Sequence, residues 1–340
     1  MDGLPAFCRH VIAHVATAEM YNVSCADLAH SRFMATPRKS LIDPEIALYY
    51  HLVSRCVRRG FLCGIDPLTG KDYNHRKAWI IERLHFLAQY FAVDLCGYAV
   101  MSNHFHLNVF HDPIACRRWS DEAVADRWLA VSPPRTYHGE AVKPDVFLEA
   151  KTQLLSQAKR LKHVRKALGS ISTFMKFLKQ HIARRANAEE GVTGHFFEQR
   201  FWSGALLDER AVMSAMLYID LNPVRAKIAK TIEDTRHAGI TERLAELAAG
   251  EVSLEDYLKP LVSGLKNTAR KIVVTLRSYL TLLNLVIDLE VRHPEGSPES
   301  CWQIDIASLH RRQRAYGSED HIRSWGSARQ WKRLGVGLVG

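Results

Sequence analysis

The patterned part of the chain opens with a short run of strand formers, Leu48-Tyr49-Tyr50-His51-Leu52-Val53-Ser54, which predicts a strand between Ala47 and Cys56. Between Lys77 and Val93 the apolar residues Ile80, Ile81, Leu84, Leu87, Ala88 and Phe91 recur at spacings of three and four, as on one face of a helix. Leu95 to Met101 then reads as a strand and Ser102-Asn103 as a tight connection. His104 to Phe110 reads as the hairpin partner of that strand. Strand, helix, strand, strand is the order of an α+β sheet with helices packed on a face.

Helical spacing dominates the rest. Residues 113 to 150 contain Ser132-Pro133-Pro134-Arg135 and read as a loop-bearing insertion. Two helices are expected at 147–168 and 171–188, split near Gly169-Ser170. Gly194 to Leu206 is aromatic and β-like. Asp208 suits a helix N-cap ahead of the apolar run Glu209 to Leu221, and Pro223 suits a stop. Beyond residue 231 the pattern is mainly helical to about 290. A loop at His293-Pro294-Glu295-Gly296-Ser297-Pro298 follows, then a basic end from Trp302 to Arg333. Residues 1–33 have weak periodicity and read as an N-terminal extension, with Met34 an alternative start. Three regions result: 1–33, a folded unit over 34–230, and a helical, basic region over 231–340.

Composition narrows the class. At 47% hydrophobic and 24% charged, the 340 residues suit a globular protein. The formal net charge of +10 points to a polyanionic partner, most commonly nucleic acid. Seven cysteines without a CxxC pair argue against a disulfide framework or zinc ribbon and suit the cytoplasm. The most apolar stretch, Ile272 to Leu289, is interrupted by Arg277, Ser278, Asn284 and Asp288, so no membrane span is expected.

Four features carry candidate chemistry. On a strand, His104 and His106 share one face while Phe105, Leu107 and Val109 point into a core. Two adjacent imidazoles are half of a metal site, or an ordinary pair in a chain with 17 histidines. Tyr218 and Asn222 lie four residues apart on one helical face. A tyrosine hydroxyl can attack a phosphodiester, and the Asn222 oxygen can serve as a third metal ligand. The plainer alternatives are a packed tyrosine and a helix C-cap. Between Lys151 and Asn187 there are ten basic residues and no acidic one: Lys151, Lys159, Arg160, Lys162, Arg165, Lys166, Lys176, Lys179, Arg184 and Arg185. One sign of charge over that length suits contact with phosphates. Finally, in Gly194-His195-Phe196-Phe197-Glu198-Gln199-Arg200-Phe201-Trp202, Arg200 can pair with phosphate, and Phe201 and Trp202 can stack on unpaired bases or serve the core.

Three ordered blocks, Tyr98-Ala99-Val100-Met101-Ser102-Asn103-His104-Phe105-His106, Phe197-Glu198-Gln199-Arg200-Phe201-Trp202 and Leu217-Tyr218-Ile219-Asp220-Leu221-Asn222-Pro223-Val224-Arg225-Ala226, give the chain a resemblance. Together with His51-Leu52-Val53-Ser54-Arg55, and over about residues 45 to 230, it resembles the HUH-type single-tyrosine transposases of bacterial insertion sequences, in particular the branch associated with repetitive extragenic palindromes. The resemblance implies a ferredoxin-like antiparallel sheet and Mg²⁺ or Mn²⁺ held by His104, His106 and Asn222. It also implies that Tyr218 attacks single-stranded, hairpin-bearing DNA and becomes joined to the 5′ phosphate. Relatives are dimers or, in the palindrome-associated branch, monomers, so either state is expected. The insertion at 113–150 and the region after 230 depart from the shorter family members. A catalytically silent reader of hairpins and a structural zinc protein are the competing classes.

Overall fold

The computed structural model describes residues 41–134, 143–198, 200–266, 272, 274–292, 309 and 313–329, with the side chains of 289–292 left aside. The N-terminal extension with Met34, the loop at 293–298 and residues 302–308, 310–312 and 330–333 of the basic C-terminal end fall outside these residues.

A mixed sheet of six strands forms the centre, in the order β5-β2-β3-β1-β4-β6. The strands are β1 (Leu48–Arg55), β2 (Val93–Val100), β3 (His104–His111), β4 (Trp202–Leu206), β5 (Val262–Ser263) and β6 (Ala315–Tyr316). β1 and β2 flank β3, antiparallel to it, and β4 pairs antiparallel with β1. The four central strands therefore take the order of a ferredoxin-like sheet, as expected for the α+β class. The helix linking β1 to β2 is α1 (His75–Ala88).

Between β3 and β4 come α2 (Asp121–Val131), α3 (Pro144–Ser156), α4 (Ala158–Leu168) and α5 (Ile171–Glu190). The two helices expected over 147–188 are thus three, because the chain leaves helical geometry at Gln157 (φ −104°, ψ 78°), a break without Gly or Pro to announce it. α5 starts where the Ser170 hydroxyl accepts from the Thr173 amide, and ends at Gly191, whose φ of 64° suits glycine. The β-like reading of 194–206 holds for β4 and for a single antiparallel bridge between Phe197 and Cys56. Phe196 and Phe197 sit in a loop tied to the end of β1, where Val57 N donates to Phe196 O at 3.1 Å.

α6 (Glu209–Arg225) is capped by Asp208, whose Oδ1 accepts from the Ala211 amide at 2.9 Å. Pro223 does not stop it. The helix runs one short turn further, since a proline near the C-terminal end costs a single intrahelical bond. Past 230 lie α7 (Gly239–Ala248), α8 (Leu276–Arg292) and α9 (Glu319–Ser327). This region is not only helical: it supplies β5 to one edge of the sheet and β6, parallel to β4, to the other. Strands of two residues are too short to leave a periodic signal.

The sheet has two buried faces. Tyr50, Leu52, Leu95, Phe105, Leu107 and Val109 pack beneath α1, α4 and α5. Cys96, Ala99, Phe110 and Leu206 meet α6, with Tyr279 and Leu283 of α8 in the same cluster. Gly204 is required on the second face: a Cβ there would come within 2.6 Å of the Tyr316 ring and 2.7 Å of Trp202.

Candidate active site

The α6 face is where strand alternation delivers His104 and His106. Pairing with β1 sets Arg55 opposite His104 and Val53 opposite His106, so their side chains share that face. The two imidazole centroids are 4.9 Å apart, with the rings at 76°. His106 is buried and His104 half-buried.

Three aromatic residues from other elements close around them. His51 reaches over from β1, its Nε2 at 2.9 Å from His106 Nδ1, with the rings stacked at 25°. Tyr218 descends from α6, its ring centroid 5.3 Å from that of His106 and 5.7 Å from that of His51. Trp202 from β4 sets its ring 5.2 Å from His51, nearly perpendicular, and also touches Tyr316. Trp202 is thus half-buried within this group, while Phe201 is buried. The Arg225 guanidinium lies 6.0 Å from the Tyr218 ring.

Asn222 sits one turn beyond Tyr218, inside the helix and not at its cap. Its Nδ2 donates to the Tyr218 carbonyl at 3.0 Å, an i to i−4 bond that commits the amide nitrogen to the helix and turns the oxygen away from it. The opposite side of α6 carries Asp220, which accepts a short hydrogen bond from the Tyr279 hydroxyl. Burial pushes the Asp220 carboxyl up to about 6. Burial likewise pushes the His51 imidazole down to about 3, so this ring is neutral near pH 7.

The residues fit a divalent cation in their donor chemistry. His104 Nδ1 is held by Asn103 Oδ1 at 2.6 Å, which leaves its Nε2 as the nitrogen suited to a metal, and His106 Nδ1 lies 2.9 Å from His51 Nε2. Among the described residues no group of three His, Cys, Asp or Glu side chains is arranged to hold a metal ion, so a site built on His104 and His106 would need a third ligand of another type, such as the Asn222 amide oxygen.

The basic run separates into two kinds of residue. Lys159, Arg160, Lys162 and Lys166 project from α4 into solvent, as do Lys176 and Arg184 from α5. Arg165 is instead tied to the Cys116 and Trp119 carbonyls and to Asp121. Lys151 pairs with Asp126 at 2.5 Å, and Arg185 lies 3.9 Å over the Trp79 ring. Lys179 donates to the Glu198 carbonyl at 2.6 Å. Arg200 is exposed, and a 480 Å³ cleft is lined by Lys176, Lys179, Phe196 and Phe197. His51 is the residue that sequence reasoning placed in a strand without giving it a role; its position three residues from the start of β1 became informative only once β1 paired with β3.

No known family's sequence profile matches the chain, and neither does any curated protein. Among solved structures, the chain is similar to a REP-associated tyrosine transposase bound to a REP hairpin, with a TM-score of 0.35 and 11% identity over 64% of this chain and 86% of that one. A likeness this distant leaves function to be argued from the residues of the site. No helix among the described residues is long and apolar enough to cross a membrane.

Proposed function

We propose that the chain cuts and rejoins DNA strands through a covalent tyrosine intermediate. The observation that carries this reading is Tyr218 packed 5.3 Å from His106, on a helix that presents Asn222 one turn later. In this reading the Tyr218 hydroxyl oxygen attacks the phosphorus of a scissile phosphodiester. The bond from phosphorus to the 3′ oxygen breaks, the departing 3′ hydroxyl takes up a proton, and the 5′ phosphate stays on Tyr218. Attack by a 3′ hydroxyl on that phosphotyrosine reverses the exchange, so one ester replaces another without an external energy source.

His104 and His106, through ring nitrogens, and Asn222, through its amide oxygen, would hold Mg²⁺ or Mn²⁺. Such an ion, when bound, polarises the phosphate and stabilises its developing charge. The α4 cations Lys159, Arg160, Lys162 and Lys166, with Lys176, Arg184 and Arg200, would neutralise the backbone of single-stranded or hairpin DNA. Arg165, Lys151 and Arg185 have structural partners and contribute less to that contact.

A second reading, a hairpin-binding regulator that does not cleave, is favoured by one observation. Tyr218 is 5% exposed and His106 4%, whereas a scissile phosphate must reach both. His104, Trp202 and Arg225 are half-buried, so in the cleaving reading a phosphate would enter beside them. Incubation of the protein with labelled single-stranded hairpin DNA and Mn²⁺ distinguishes the readings. Cleavage yields a denaturation-resistant protein–DNA adduct that Tyr218→Phe does not form. Tight binding without an adduct under Mg²⁺ or Mn²⁺ supports the regulator.

A further inference from the structure

An imidazole ligates a metal only through a nitrogen that carries no proton, so the hydrogen bond made by the other nitrogen decides whether the ring is ready. For His104 that bond is unambiguous. Asn103 Nδ2 donates to the Arg59 carbonyl at 3.2 Å, which orients the amide and leaves Oδ1 as the atom facing His104 Nδ1 at 2.6 Å. An amide oxygen only accepts, so His104 Nδ1 must hold the proton and Nε2 the lone pair.

The support beneath Asn103 is costly backbone. Arg58 and Arg59 have φ of 53° and 56°, in the left-handed region that non-glycine residues avoid. The turn is fastened from both sides, with Cys56 N donating to Asn103 O at 2.8 Å and Cys63 N to Ser102 O at 2.9 Å. A strained turn pinned in this way aims the Arg59 carbonyl at one target, the Asn103 amide.

For His106 the partner is His51. Its imidazole is fully buried, stacked on His106 and boxed in by Trp202 and Tyr218. Two arrangements satisfy the 2.9 Å contact. In one, His51 donates and His106 carries its proton on Nε2, which closes that nitrogen to a metal. In the other, His106 Nδ1 donates, His51 Nε2 accepts, and His106 Nε2 holds a lone pair. His51 Nδ1 has no hydrogen-bond partner in either case, so it does not discriminate.

We infer that His51 and Asn103 are positioning residues that hold the protons of His106 and His104 on Nδ1, so that both Nε2 atoms present lone pairs to one divalent cation. This rests on the metal reading proposed above. Its consequence is that the clamp is set before the metal arrives, by one acceptor from β1 and one from the turn into β3.

Nitrogen-15 imidazole spectra of the metal-free protein test the inference directly, together with Mn²⁺ titration followed by electron paramagnetic resonance. The parent should show both rings protonated at Nδ1. His51→Phe keeps an aromatic ring but removes the acceptor. It should mix the His106 tautomers and weaken Mn²⁺ binding by roughly 10- to 100-fold, while His51→Gln, which restores an acceptor, recovers most of the affinity. Asn103→Ala should do the same to His104. A His106 ring protonated at Nε2 in the parent overturns the inference without any variant needing to fold, and so does a His51→Phe protein that binds Mn²⁺ as tightly as the parent. A parent with Nδ1-protonated rings that binds no Mn²⁺ refutes the metal reading, and the inference with it.

Discussion

The two faces of the central sheet are built from opposite materials. Beneath α1, α4 and α5 the buried residues are Tyr50, Leu52, Leu95, Phe105, Leu107 and Val109, which stabilise the fold in proportion to the apolar area they remove from water. Beneath α6 the same strands bury His51, His106 and Asn108, and the helix adds Tyr218 and Asn222. Desolvating each of those polar groups costs free energy unless its bonds are remade, and His51 Nδ1 and Asn108 Oδ1 are buried without a hydrogen-bond partner. One face therefore maintains the structure, while the other gives up stability to a polar arrangement, which the proposed function assigns to chemistry.

The largest expected effect comes from the apolar face. Phe105, fully buried against Phe197, loses about 3–5 kcal/mol of stability on Phe105→Ala, measured by urea denaturation. A polar residue buried on that face, His111, sharpens the comparison. Its Nε2 donates to the Gly169 carbonyl at 2.8 Å, and burial holds its imidazole below the usual histidine range. The unfolded chain then takes up the proton first as pH falls below about 6.5, so stability is full above that pH and declines below it. His111→Gln, which retains a donor, should flatten this acid limb of a melting-temperature profile.

Smaller still is the stability effect on the α6 face. Tyr218→Phe removes one hydroxyl and should change unfolding free energy by about 1 kcal/mol or less, while adduct formation disappears. A large loss of stability in that variant would assign Tyr218 to packing and erase the contrast between the faces. The least disturbing substitutions are Lys159→Ala and Lys162→Ala on the exposed side of α4. Melting should be unchanged, and each should lower the slope of log affinity for hairpin DNA against log salt by about 1.

Much of this was readable along the chain where local spacing carries the information. Alternation in β3 put His104 and His106 on one face, and helical spacing put Tyr218 and Asn222 on another element with the right reach. What stayed hidden depends on pairing between distant segments. His51 meets His106 across 55 positions, and only the β1–β3 register brings them together. The basic run looked uniform because the partners that occupy Arg165 and Arg185 lie on other elements, Asp121 on α2 and Trp79 on α1. The edge strands β5 and β6 are formed by pairing, not by pattern, at two residues each.

The central claim is that the polar face exists to place Tyr218 on a DNA phosphate. Protein incubated with hairpin DNA and Mn²⁺, then digested with nuclease and protease, can be mapped by tandem mass spectrometry. The account predicts a nucleotide phosphate on the Tyr218 side chain. A phosphate on any other residue, or none on a protein that binds the hairpin tightly, would contradict it.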